Sequence, residues 1–288
     1  MATRMVRTRR TGFDFTAEVE GADAGGGVVV LLHGYPQSRH TYRSQLPALA
    51  EAGYLAVAYD QRGYSPGARP DPADVSGYVV DELVADVLDV ADAVGAPGAT
   101  FHLVGHDWGG QVAWCCAAAH PDRVRSLCVL SRPHPAAFAA ALGGGDPGQA
   151  ARSRHHKAFL DPETAARLLE EGGRRLRRMF AEQGVGDDAV ARYLDVLGEP
   201  EAMEAALAWY RAAAGELGQV RCGPIEVPTL YVWGTDDASV GRVAAETTSA
   251  HVTGQYRFVE VPGVGHFVTD QAPELVDEVL LSHLASQS

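Results

Sequence analysis

Short apolar runs recur along the chain, each bounded by turn-forming residues. Val28-Val29-Val30-Leu31-Leu32 is continuous, set between Gly25-Gly26-Gly27 and His33-Gly34, which is the pattern of a strand buried on both faces. The same pattern returns at Leu55-Ala56-Val57-Ala58-Tyr59, Thr100-Phe101-His102-Leu103-Val104, Leu127-Cys128-Val129-Leu130, Thr229-Leu230-Tyr231-Val232-Trp233 and Tyr256-Arg257-Phe258-Val259-Glu260-Val261. Between these runs lie amphipathic stretches. From Tyr78 to Val94, for example, Val80, Leu83, Val84, Val87, Leu88 and Ala91 fall at helical spacing. Strand and helix in alternation predict an α/β fold with a mostly parallel sheet covered by helices on both faces. In such sheets ligands gather beyond the carboxyl ends of the strands.

The alternation breaks from about Pro133 to Pro224. This stretch is rich in Arg, Ala and Glu, helical in period, and interrupted by Gly143-Gly144-Gly145 and Gly184-Val185-Gly186. Strand signals resume after Val227-Pro228, so the expected organisation is a core of residues 1–132 and 223–288, with a helical cap, residues 133–222, inserted over the sheet.

Composition narrows the function classes. The 288 residues are 46% hydrophobic and 21% charged, the profile of an ordinary globular protein. A net charge of -13 disfavours nucleic acid and anionic membranes as partners, because both repel an acidic body. The basic opening, Arg4, Arg7, Arg9 and Arg10, lacks a following apolar stretch of signal-peptide length, and no run could span a bilayer, which points to the cytoplasm. Cys115, Cys116, Cys128 and Cys222 show neither metal-ligand spacing nor a disulfide framework and read as packed thiols. No metal or organic cofactor is implied. The expected partner is a small molecule; the oligomeric state is left open, a homodimer included.

The chemistry concentrates at Gly105-His106-Asp107-Trp108-Gly109-Gly110, directly after the strand ending at Val104 and before a helix expected to begin near Gln111. A sharp turn there lifts one side chain above the sheet edge, and flanking glycines give the backbone clearance. This nucleophile elbow usually carries serine; here it carries Asp107. A serine alkoxide attacks a carbonyl, whereas a carboxylate suits displacement at saturated carbon and leaves an alkyl ester on the enzyme. Hydrolysis of that ester calls for a histidine to deprotonate water and an acid to orient it. His266, just past the last strand, and the adjacent Asp236 and Asp237 after the preceding one, lie in the required chain order.

At these motifs the chain resembles the epoxide-hydrolase and haloalkane-dehalogenase branch of the α/β-hydrolase fold family. The likeness is carried by His33-Gly34-Tyr35-Pro36, Asp60-Gln61-Arg62-Gly63-Tyr64-Ser65, the elbow, Pro133-His134-Pro135 and Gly263-Val264-Gly265-His266. It covers nearly all of the core and the cap only in part. The resemblance implies Asp107 as nucleophile, His266 as base and, by spacing, Asp237 as acid. It also implies that the amides of Tyr35 and Trp108 form an oxyanion hole, shaped by a cis bond before Pro36.

Within that branch the motifs favour an epoxide substrate, opened to a vicinal diol. Dehalogenases cradle halide with a tryptophan beside the nucleophile, which Trp108 matches, and an asparagine after His-Gly, which Tyr35 replaces. Fluoroacetate-type relatives place an arginine where Trp108 stands. Ala208-Trp209-Tyr210-Arg211 resembles the cap motif whose tyrosine assists ring opening, which implies Tyr210 as the oxirane-oxygen donor. The segment that often supplies a second tyrosine reads Ser153-Arg154-His155-His156-Lys157, with His155 in its place. Tyr35, Trp108 and His155 are accordingly the expected substrate contacts. The alternatives are a haloalkane dehalogenase and a noncatalytic or repurposed member of the fold.

Overall fold

The computed structural model describes residues 2–23, 25–215 and 222–287. Eight strands form one sheet: β1 (Ala2–Arg7), β2 (Asp14–Glu20), β3 (Val28–Leu32), β4 (Leu55–Tyr59), β5 (Phe101–His106), β6 (Val124–Leu130), β7 (Thr229–Gly234) and β8 (Tyr256–Val261), in the order β1-β2-β4-β3-β5-β6-β7-β8. The strands expected from apolar runs are β3 to β8, all mutually parallel. Two further strands were not anticipated. The arginine-rich opening forms β1, which pairs antiparallel with β2, and β2 joins the sheet antiparallel to β4.

Along the central strands successive side chains enter opposite cores. Val28, Val30 and Leu32 of β3 face one cluster with Val87 and Val90 of α2 (Val80–Val94), past α1 (Gln45–Glu51) in the chain, and with Val112 and Cys116 of α3 (Trp108–Ala119). Val29 and Leu31 face the other, with Leu46 and Leu49 of α1 and residues of the C-terminal helix. Burial on both faces is the reason these strands read as unbroken apolar runs.

Between β6 and β7 lies a helical insert: α4 (Pro135–Ala140), α5 (Pro147–Arg152), α6 (Arg154–Ala158), α7 (Thr164–Glu182), α8 (Asp187–Leu197) and α9 (Pro200–Ala214). Non-helical backbone from Glu170 to Gly173 breaks α7 in two. The chain closes with α10 (Arg242–Thr247), α11 (Val268–Gln271) and α12 (Pro273–Ala285). Among the described residues no helix is long and apolar enough to cross a membrane.

A buried ion pair ties the loop after β4 to α2. Arg62 Nε and Nη2 each donate to a carboxylate oxygen of Asp86 at 2.7 Å, with both side chains nearly inaccessible. Its backbone oxygen accepts from Trp209 Nε1 of the insert at 3.0 Å. Removing Asp86 leaves the buried guanidinium with only the partly exposed carboxylate of Glu82, 3.2 Å away, against its charge. Asp86→Ala is expected to cost about 3 kcal/mol, read as a lower urea midpoint at unchanged slope. Replacing both partners together by apolar residues should recover most of that loss.

Candidate active site

The parallel strands end in register: Leu32 of β3 lies beside Tyr59 of β4 and Gly105 of β5, and His106 of β5 beside Leu130 of β6. The loops beyond these ends therefore converge, and they carry Tyr35, Asp107, Asp237 and His266.

Asp107 turns the chain from β5 into α3 with φ 50° and ψ -116°, a conformation that costs a non-glycine residue on the order of 1–3 kcal/mol. Neighbouring backbone holds it there. A Cβ on Gly109 would stand 2.2 Å from the Leu32 carbonyl oxygen, and one on Gly34 would stand 2.4 Å from Asp107 Cβ. No larger side chain fits between the elbow and the loop that faces it. The helix begins at Trp108 rather than near Gln111, because Gln111 N already donates to Asp107 O at 3.0 Å.

Both oxygens of Asp107 are accounted for. Oδ1 accepts the Tyr35 amide at 3.0 Å, and Oδ2 lies 3.5 Å from His266 Nε2. Trp108 supplies the first N–H of α3, in the turn whose amides have no intrahelical acceptor. The Tyr35-Pro36 bond is cis. His33 fixes the Tyr35 loop: its Nδ1–H donates to Gly34 O at 3.0 Å, its Nε2 accepts from Gln61 N at 3.1 Å, and Gln61 Nε2 returns a bond to His33 O at 2.6 Å.

His266 Nδ1 meets Asp237 at 3.0 and 3.1 Å. The neighbouring Asp236 is exposed and takes a bond from the Thr235 hydroxyl at 3.2 Å, so the structure resolves the choice of carboxylate facing His266. Asp237 Oδ1 also accepts the amides of Ser239 and Val240 at 2.7 and 2.9 Å. One contact had no signal in the sequence. Ser131 Oγ donates to Asp237 Oδ2 at 2.6 Å and lies 2.8 Å from His266 Nδ1. Ser131 sits at φ 67°, just past β6, with its N–H on Val232 O and its carbonyl taking the Tyr231 hydroxyl. His106 is structural, as its Nε2–H donates to His266 O at 2.8 Å.

Charge is partitioned by these contacts. Burial opposes ionisation of Asp107, but the hydrogen bond and charge of His266, with Arg132 adding to them, hold its carboxyl well below the usual range. Burial likewise opposes the imidazolium of His266, yet the charge of Asp237 and bonds to both carboxylates push it up to about 10. Asp237 is lowered by the same partner and by Ser131, against burial. At neutral pH the resting trio is carboxylate, imidazolium, carboxylate.

A cavity of about 220 Å³ opens onto this trio, bounded by Tyr35, Pro36, Asp107, His266 and Phe267 of the sheet side and by His155, Phe159, Met179, Gln183 and Tyr210 of the insert. Tyr210 is buried, its ring edge-on to Tyr35 at 5.5 Å and to Trp108 at 5.1 Å. The Trp108 ring also packs on Trp209, with the Arg132 guanidinium 5.9 Å from its centre. His155 lines the cavity while its neighbours Arg154 and Lys157 face solvent, so that basic segment is only partly a solvated face. Gln271 joins the two sides: its Oε1 accepts Gly265 N at 2.7 Å, and its amide nitrogen donates to Gln183 O.

A carboxylate elbow facing a histidine and a second carboxylate is the arrangement that known proteins can be compared against. The family model described as alpha/beta hydrolase fold matches residues 27–273. The chain is 32% identical to epoxide hydrolase A of Mycobacterium tuberculosis, over 92% of each chain. It is 28% identical to epoxide hydrolase 4 of Mus musculus, over 98% of this chain and 79% of that one. The solved structure of epoxide hydrolase A from Mycobacterium thermoresistibile superposes with a TM-score of 0.81 at 27% identity, covering 99% of this chain and 98% of that one. With fold, elbow and sequence in agreement along most of its length, the chain belongs to the α/β-hydrolase fold family and has epoxide hydrolases as its relatives.

Proposed function

We propose that the chain is an epoxide hydrolase: Asp107 opens an oxirane to form an alkyl ester, and His266 with Asp237 activates the water that hydrolyses it. The observation that carries this reading is the division of labour on Asp107, with one oxygen held by a backbone amide and the other turned toward His266. The relatives named above support the substrate class. The cavity, smaller than the roughly 300 Å³ at which sites for drug-sized ligands begin, favours a small epoxide.

In the first step Asp107 Oδ2 attacks an oxirane carbon and the C–O bond opens. Burial, and then the charge of Asp107, raise the Tyr210 hydroxyl well above its ordinary value. Tyr210 therefore stabilises the leaving oxygen by donating a hydrogen bond, and the proton that ends on the product hydroxyl is the one His266 holds at rest. Ester formation removes the Asp107 charge. With only Asp237 left beside it, His266 becomes less basic and stays neutral, ready to take a proton from water. Attack on the ester carbonyl then builds negative charge on Oδ1, where the Tyr35 amide already donates and the Trp108 amide adds a second donor. Collapse expels the diol, the water oxygen remains on Asp107, and His266 is again an imidazolium.

A single turnover in heavy-oxygen water is expected to leave the label on Asp107 and an unlabelled diol, as read by peptide mass. His266→Gln should form the ester more slowly, for want of the imidazolium proton, but lacks the base for its hydrolysis and should therefore accumulate, on long incubation, a protein heavier by the mass of one epoxide. Label in the diol alone, with no ester in that variant, overturns the assignment, as does halide release from haloalkanes without turnover of any epoxide.

The two half-reactions should differ in pH dependence. Ester formation uses the imidazolium, so its rate constant is expected to fall as pH rises through about 10. Ester hydrolysis uses the neutral ring, so its rate constant should rise with pH, with a midpoint below that value. Rapid-quench measurement of both steps checks this, and a shared midpoint with the same sign would count against it.

A further inference from the structure

α6 sets His155 in the cavity wall opposite the sheet side, and its tautomer follows from one contact. Nδ1 lies 2.9 Å from the carbonyl oxygen of Arg152. A carbonyl only accepts, so Nδ1 carries the hydrogen and the neutral ring keeps its lone pair on Nε2. No described residue provides a hydrogen-bond partner for Nε2. The ring is held by an edge contact with His156 at 4.5 Å and a tilted one with Phe159 at 5.5 Å.

The surroundings keep this ring uncharged. Burial lowers the basicity of His155; Asp107 across the cavity favours its protonation, while His266 and Arg132 oppose it. His156, pushed down to about 3 by burial, adds no charge beside it. Much of the remaining cavity wall is apolar, formed by Pro36, Phe159, Met179 and Phe267. The Tyr35 hydroxyl is turned away to Met203 Sδ at 3.4 Å, and the Tyr210 hydroxyl is committed to the oxirane oxygen in the mechanism above.

We infer that His155 is a specificity residue whose Nε2 accepts a hydrogen bond from a hydroxyl group of the substrate, so that the preferred substrates are small epoxy alcohols rather than plain alkyl epoxides. This rests on the epoxide-hydrolase reading. A hydroxyl meets the requirement at little desolvation cost, whereas an ammonium would have to leave water for a largely apolar wall. Against an ether or alkane at that place, the nitrogen gives up its water and gains nothing in return.

The test compares two matched terminal epoxides, one bearing a hydroxyl and one bearing its methyl ether, by the ratio of their kcat/KM values. The ratio cancels everything the two reactions share. In the unmodified protein at neutral pH it is expected to favour the alcohol by about tenfold, chiefly through KM. It should decline in acid, below the ordinary imidazole range, as Nε2 gains a proton and turns from acceptor to donor. His155→Phe should bring the ratio to about one and make it independent of pH. A ratio of one or below in the unmodified protein, or a preference that survives in His155→Phe, overturns the inference while leaving the epoxide-hydrolase reading in place. Turnover of neither epoxide, with no ester on Asp107, removes that reading and this one with it. The pH series on the unmodified protein decides the matter even where the variant does not fold.

Discussion

Every other feature of the site depends on a single backbone position held where ordinary residues do not rest. Asp107 occupies φ 50° between β5 and α3, which are locked into the sheet and its cover, with Gly109 packed against the Leu32 carbonyl and Gly34 against the Asp107 side chain. From that position the carboxylate reaches the loop after β3 on one side and the loop after β8 on the other. The strain is local, and the packing that opposes its release is the whole central sheet.

The same register explains how residues more than a hundred positions apart come together. Parallel strands deliver their carboxyl ends to one edge, and each loop there contributes one group: an amide after β3, the carboxylate after β5, a hydroxyl after β6, a second carboxylate after β7 and an imidazole after β8. Electrostatics then does what geometry alone does not. Two buried carboxylates around one imidazole keep it protonated at rest, and Arg132, held between Gln111 and the rings of Trp108 and Phe138, lies close enough to favour the ionised form of Asp107.

The parts legible in the sequence are those with a physical period or a fixed spacing. Strands β3 to β8 stand out because burial on both faces demands unbroken apolar runs. The elbow stands out because only glycine tolerates the approach at Gly109. The hairpin of β1 and β2 carries a weaker signal: Phe13, Phe15, Ala17 and Val19 alternate with polar residues, but β1 is interrupted by Arg4 and shows no unbroken apolar run. Asp236 and Asp237 are adjacent, so composition and order alone do not choose between them, and the choice is made by loop amides that bind Asp237. Ser131 carries no motif. Its importance comes from a left-handed backbone turn and from two partners far away in the chain. The helical insert was visible as a change of period, but the break inside α7 and the side of α6 that turns inward depend on packing against α8 and α9.

Gln271 has a mechanical consequence. Its side chain supports the loop that ends in His266 and at the same time holds a backbone carbonyl of the insert at Gln183. A movement that lifted this part of the insert away would also withdraw a prop from the imidazole. Along this edge the cover and the machinery are fastened by one side chain, so the position of the insert and that of the imidazole are set together.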